Sequence, residues 1–170
     1  LLRRRLKFRS ESAPTLIISI YKEDLVRKFL DILPFLLTKS QKRVLAQIQT
    51  DMSNSKPMAR LLQGDVGCGK TVVALAALIH SVQAGFQGTL MAPTEVLAEQ
   101  HYYNFCKWLP QLNVTVELLT GSTKKSKRKK LLDDLANGSL KILVGTHALI
   151  EDKVSFSGLG LVVVDEQHRF

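Results

Sequence analysis

Short aliphatic runs alternate along this chain with longer stretches in which apolar residues return every three or four positions. In residues 19–33, Ile20, Leu25, Phe29, Leu30 and Leu33 keep the spacing of one helix face, and Pro34 stops the pattern. Thr38 then caps a second helix with Val44, Leu45 and Ile48 on one side, running to about Met52. Past Pro57 the rhythm changes. Residues 60–63, 89–92, 114–119, 140–144 and 161–164 are short aliphatic runs that predict strands, and residues 70–84, 94–109 and 124–137 predict helices between them. Gly85 and Gly138 supply helix stops. Strands that are apolar in succession, and not alternately, are covered on both faces. The pattern therefore predicts an α/β fold with a mostly parallel sheet between helices.

The candidate chemistry starts where the first predicted strand meets the helix of residues 70–84. Gly64, Gly69, Lys70 and Thr71 satisfy G-x-x-x-x-G-K-[ST] in the strand-then-helix context that this phosphate-binding motif requires. Gly64, Gly67 and Gly69 lack a Cβ, so the backbone can take positive φ and approach an anion closely. Successive N–H groups and the positive end of the following helix then form a phosphate nest. Lys70 would reach the β- and γ-phosphates as a mobile point charge, and the Thr71 hydroxyl would ligate Mg²⁺. The alternative is a glycine-rich turn that binds nothing.

Two further stretches bear on that loop. The apolar run 161–164 ends in Asp165 and Glu166: the first can hold Mg²⁺ through its water shell, and the second can orient and deprotonate an attacking water. An aspartate after a strand is by itself usually a cap or turn residue; the phosphate loop upstream is what gives it a metal to hold. Gln41 has two readings. With Thr38 it forms a capping box, reaching back to a backbone N–H; its amide also has the donor and acceptor needed to read an adenine edge.

Composition narrows the class. The chain has 170 residues, 45% hydrophobic and 23% charged, which suits one ordinary globular domain. No apolar run reaches the ~18 residues of a membrane helix, and the basic opening lacks the apolar core of a signal peptide, so the expected location is cytoplasmic. Cys68 and Cys106 have no metal-ligand spacing and are expected as free thiols. A net charge of +9 points to a polyanionic partner, with nucleic acid ahead of a merely solubilising surface.

The Asp165-Glu166-Gln167-His168 sequence resembles motif II of superfamily 2 helicases, and residues 165–170 resemble the version found in the RecG family of ATP-dependent helicases, which remodel branched DNA. Residues 64–71 are similar to the family's motif I, residues 91–101 to motif Ia, Leu119-Thr120-Gly121-Ser122 to motif Ib, and residues 144–149 to the segment before motif II. The resemblance covers roughly residues 33–170. The nearest competitor, the transcription-repair coupling translocase, is similar in motif I but usually lacks the wording of Thr146-His147-Ala148-Leu149. Cys68 stands where serine is more usual, at a variable loop position.

The resemblance implies a P-loop NTPase of the RecA-like, three-layer kind over residues 34–170, with residues 1–33 as a helical lead-in from an upstream region. It implies ATP binding by Gln41, Gly64, Gly67, Gly69, Lys70 and Thr71, Mg²⁺ binding by Thr71 and Asp165, and catalysis by Lys70 and Glu166. Gln41 is thereby shifted towards adenine. On the DNA side it implies Thr94, Gln100, His101, Thr120, Gly121, Ser122, Thr146 and His147, whose hydroxyls, amides and backbone N–H groups suit phosphate contact without base reading. Thr94 and Ser122 have the alternative of capping helices.

The cluster Lys124, Lys125, Lys127, Arg128, Lys129 and Lys130 opposes the helix macrodipole, which leaves a phosphate track or a solvated face as its reason. His168 either couples nucleotide to DNA or supports its loop, and His80 is expected to be structural.

The expected partner is branched or junction DNA, in recombination and repair, with a monomeric protein and no membrane. The chain is also expected to be a fragment, an excised piece or a broken reading frame, ending after motif II. It would then lack the second motor domain and the arginine finger worth about 10³–10⁵ in rate, leaving little activity or a binding remnant without turnover.

Overall fold

A computed structural model describes residues 24–54 and 56–166. The expected helix start at residues 19–23, the basic residues 1–12, and Gln167 and His168 lie outside the described residues.

Helix α1, Leu25–Ile32, begins where the Asp24 carboxylate accepts from Arg27 N at 3.0 Å, and it buries Val26 and Phe29. Leu33, the residue before Pro34, turns extended and ends it, as the proline ring demands. Helix α2, Lys39–Met52, opens on the expected capping box and buries Leu45, Ile48 and Met52. Then follow α3, Lys70–Gln83; β1, Gln87–Met91; α4, Glu95–Cys106; β2, Val116–Leu119; α5, Lys125–Ala136; β3, Ile142–Gly145; and β4, Leu159–Val164. Short 3₁₀ turns at Leu109–Leu112 and His147–Ile150 complete the connections.

The strands form one parallel sheet in the order β2-β3-β1-β4, with Leu90 opposite Val144 on one side and Val163 on the other. Alternate residues of β3 divide the core. Ile142 and Val144 pack with α1 to α4, whereas Leu143 packs with Leu131 and Leu135 of α5. Helices thus cover both faces, giving the three-layer, RecA-like arrangement expected. Gly145 permits the tightest approach: a Cβ there would strike the Leu119 carbonyl of β2.

One expected strand does not form. Residues 60–63 carry no ladder hydrogen bonds, and Leu61 is 68% exposed. Arg60 is held instead by α2, donating to Asp51 at 2.8 Å and to Gln47 at 3.2 Å, and Pro57 offers no N–H to a ladder. Among the described residues β4 pairs only with β1, so the segment has no strand beside it. Its aliphatic composition suits a strand, but a strand exists only with a partner.

A buried polar staple holds the amino ends of the strands. Gln87 is 2% exposed; its amide donates to Leu135 O at 2.9 Å and Leu140 O at 2.7 Å, and its Oε1 accepts from Gly158 N at 3.0 Å. One side chain thereby joins the end of α5 to the approaches to β3 and β4. Nothing in the hydrophobic pattern marked it.

The direction of the strands places the site. From β1 the chain crosses over α4 to the far strand β2, then returns over α5 on the other face to β3. All four strands run the same way, so their carboxyl ends share one edge, and in open parallel sheets that edge takes ligands.

Candidate nucleotide site and nucleic-acid face

Only three residues join α3 to β1, and α3 packs on β1 and β4, so the helix runs antiparallel to them. Its amino end, with the glycine loop, therefore stands at the carboxyl edge of the sheet, the edge where β4 delivers Asp165 and Glu166. The loop is shaped for an anion. Gly67 and Gly69 both have φ 81°, and Gly69 is the N-cap of α3 with no side chain closing the helix end. Among the described residues no acceptor meets the N–H groups of Gly69, Lys70 or Thr71. Those open donors, at the positive end of a 14-residue helix, fit a phosphate.

Lys70 now closes the loop on itself, its Nζ donating to Gly64 O at 2.7 Å and Asp65 O at 2.8 Å. Gln41 does two things at once. Its Oε1 accepts from Thr38 N at 2.8 Å, completing the cap, while its Nε2 donates to Cys68 O at 2.9 Å inside the loop. The second contact ties α2 to the glycine loop across 27 positions of sequence.

At the end of β4, Asp165 N donates to Met91 O at 2.9 Å, anchoring the turn on β1. Asp165 Oδ1 accepts from Glu166 N at 3.0 Å, and Glu166 sits at φ 45°, a left-handed conformation that costs a non-glycine residue about 1 kcal/mol or more. Such strain gathers at functional turns. The Thr71 hydroxyl and the Asp165 carboxylate are hard oxygen donors of the kind Mg²⁺ takes, the ion keeping several waters of its own.

The residues expected on the DNA side divide into two groups. Thr94, Gln100, Gly121, Ser122 and His147 are exposed, around the carboxyl ends of β1, β2 and β3. Thr94 caps α4 by accepting from Leu97 N at 3.3 Å, as its alternative reading had it. Thr120, Thr146 and His101 are buried. The Thr120 hydroxyl lies 2.9 Å from Ser122 Oγ, and Thr120 N donates to Thr123 Oγ1 at 2.9 Å, which shapes the turn after β2. His101 does not face outward: its Nε2 is 2.7 Å from Asp165 Oδ2.

A carboxylate that sequence reasoning passed over sits in the same turn. Glu95 Oε2 accepts from Ser122 Oγ at 2.9 Å and Oε1 from Ser122 N at 3.2 Å. These bonds, the Ser122 hydroxyl first and then the backbone N–H groups of Ser122 and Gly121, hold the Glu95 carboxyl below the usual range. In sequence Glu95 reads as a first-turn acid on a helix dipole, and no local spacing points to a serine 27 positions away.

In the lysine cluster, Lys127 pairs with Glu117 at 2.9 Å and Arg128 with Glu151. Lys124, Lys125, Lys129 and Lys130 are exposed without a carboxylate partner among the described residues.

Residues 38–170, from the cap of α2 to the last residue, match the DEAD/DEAH box helicase family. The chain belongs to that family. Within the DEAD/DEAH box helicases it is similar to RecG proteins. It is 56% identical to the ATP-dependent DNA helicase RecG of Synechocystis sp. over 147 residues, covering 86% of this chain and 18% of the relative. The RecG of Aquifex aeolicus is 46% identical over 170 residues, covering 100% of this chain and 21% of the relative. A solved structure of RecG bound to a three-way DNA junction superposes with a TM-score of 0.86 at 44% identity, covering 100% of this chain and 23% of that one. The chain thus spans about a fifth of the length of these relatives. Among the described residues no helix is long and apolar enough to cross a membrane.

Proposed function

We propose that this chain works as the ATP-binding motor domain of a RecG-like helicase that remodels branched DNA in recombination and repair. Residues 34–170 make up the domain, and α1 leads into it. The observation that carries the reading is the loop of open N–H donors before α3, on the same sheet edge as Asp165 and Glu166. Lys70 exchanges the carbonyls of Gly64 and Asp65 for the β- and γ-phosphates of ATP. Thr71 and Asp165 hold Mg²⁺, and Glu166 orients the attacking water and takes its proton. Magnesium, when bound, supplies neutralisation of phosphate charge. Gln41 keeps the loop in register with α2 and presents its amide to the base.

On the nucleic-acid side, Thr94, Gln100, Gly121, Ser122 and His147 offer hydroxyl, amide, ring and backbone donors to phosphates, with Thr120 and Thr146 shaping the turns beneath them. The solved RecG relative is bound to a three-way DNA junction, which supports branched DNA as the substrate. Monomeric action in the cytoplasm belongs to the same reading.

Turnover by this chain alone is expected to be small, because the activity of the relatives belongs to proteins about five times as long. The test is ATP hydrolysis with and without a branched oligonucleotide, repeated with the rest of a RecG protein supplied in trans. Stimulation in trans that disappears in Lys70→Ala supports the motor reading. Binding without stimulation favours a remnant that holds nucleotide or DNA, and unwinding by the chain alone overturns the expected dependence.

A further inference from the structure

Helix α4 touches both halves of the site. At its first residue the Glu95 carboxylate takes two donors of Ser122, at 2.9 and 3.2 Å. Six residues on, His101 Nε2 meets Asp165 Oδ2 at 2.7 Å, with the side chain 11% exposed. Six residues of α-helix rise about 9 Å, so the two contacts are fixed points on one short rod. Neither is required to build that rod. Thr94 caps it, and Ala98 and Phe105, both 0% exposed, seat it on the core.

Asp165 is consequently gripped on both oxygens, one by the backbone of Glu166 and the other by a side chain from a different element. A histidine behind a carboxylate restricts its rotation and sets its direction, as outer partners do around metal ligands. At the other end, Ser122 N and Oγ are donors of the kind a DNA phosphate uses, and the Glu95 carboxylate now occupies them. One set of donors cannot fully serve two anions. A phosphate entering the turn competes with Glu95, and the displaced carboxylate belongs to the helix that holds Asp165.

We propose that α4 is the coupling element between the two faces: His101 is a positioning residue for the Asp165 carboxylate, and Glu95 senses whether the Thr120–Ser122 turn holds a phosphate. The proposal rests on the reading of the site as one for Mg²⁺-nucleotide and DNA. Coupling of this kind is reciprocal: DNA changes nucleotide affinity by the factor by which nucleotide changes DNA affinity.

The experiment is a titration of the chain with fluorescent ADP, in Mg²⁺ and in EDTA, with and without a forked oligonucleotide. It compares the parent with His101→Ala, His101→Gln and Glu95→Gln, each checked for folding by thermal unfolding. His101→Ala is expected to lose about tenfold of the Mg²⁺-dependent gain in affinity while its affinity in EDTA stays within twofold. His101→Gln, which keeps an N–H donor, should recover part of the loss. Glu95→Gln is expected to bind the fork more tightly and to shrink the fork-induced change in ADP affinity to less than twofold. An unchanged Mg²⁺ gain in His101→Ala, or an equal loss in EDTA, overturns the role of His101. A fork effect in Glu95→Gln equal to the parent's overturns the coupling. A parent chain that binds no ADP sinks the nucleotide reading itself, an outcome distinct from either.

Discussion

Gln41→Glu keeps an oxygen where the amide now accepts from Thr38 N at 2.8 Å, so the capping box survives. The same change deletes the Nε2 donor that meets Cys68 O at 2.9 Å and sets an oxygen, and a negative charge, beside a loop built for phosphate. The lost hydrogen bond is worth about 0.5–1.5 kcal/mol. A carboxylate near the bound phosphates adds roughly 1 kcal/mol or more at this half-exposed position. The repulsion predicts a fall of roughly fivefold or more in nucleotide affinity, and the lost bond, which the loop makes without nucleotide, should lower stability by about 0.5–1.5 kcal/mol. Gln41→Ala also leaves Thr38 N without its acceptor, although the Thr38 hydroxyl still caps the helix, and should unfold about 0.5–1.5 kcal/mol more easily than Gln41→Glu. Fluorescent ADP titration and urea unfolding measure the two quantities separately. The reasoning fails if Gln41→Glu binds ADP like the parent, or if Gln41→Ala matches the parent in urea.

Three other substitutions probe separate parts of the structure. Gln87→Leu strands Leu140 O and Gly158 N in the interior, whereas Leu135 O keeps Gly138 N and Ser157 N, so a loss of about 2–5 kcal/mol is expected in urea unfolding. Gly69→Ala forces a Cβ towards the Gln41 amide at φ 81°, and the expected result is loss of ADP binding with about 1–2 kcal/mol of destabilisation. His80 is buried, and its Nε2 has no hydrogen-bond partner among the described residues. Desolvation lowers its pKa from 6.5, with Asp24 opposing. Its neutral form is the one the fold accepts, so stability is intact above about pH 6.5 and falls as pH drops towards the depressed folded value, where the unfolded chain alone takes up the proton. Thermal unfolding from pH 8 to 5 should show that acid decline, and His80→Gln should flatten it.

The glycine turn at the start of α3 was legible in the sequence because what shapes it is local: glycine backbone freedom, a lysine and a hydroxyl at fixed spacing, and a helix start. The alternation of elements, the caps at Thr38 and Thr94 and the end of α1 at Leu33 were legible for the same reason, since each is settled within a few residues. Asp165 and Glu166 could be placed at the end of a strand, but not beside a histidine 64 positions upstream. Tertiary structure alone decided that His101 turns inward to Asp165, that Glu95 occupies the donors of Ser122, and that Gln87 staples three segments. It also decided against a strand at residues 60–63, where Arg60 found carboxylate and amide partners on α2 and the backbone found no neighbouring strand. Composition and spacing state what a segment can form. Which partner reaches it first depends on how the other elements have packed, and that is a property of the whole fold.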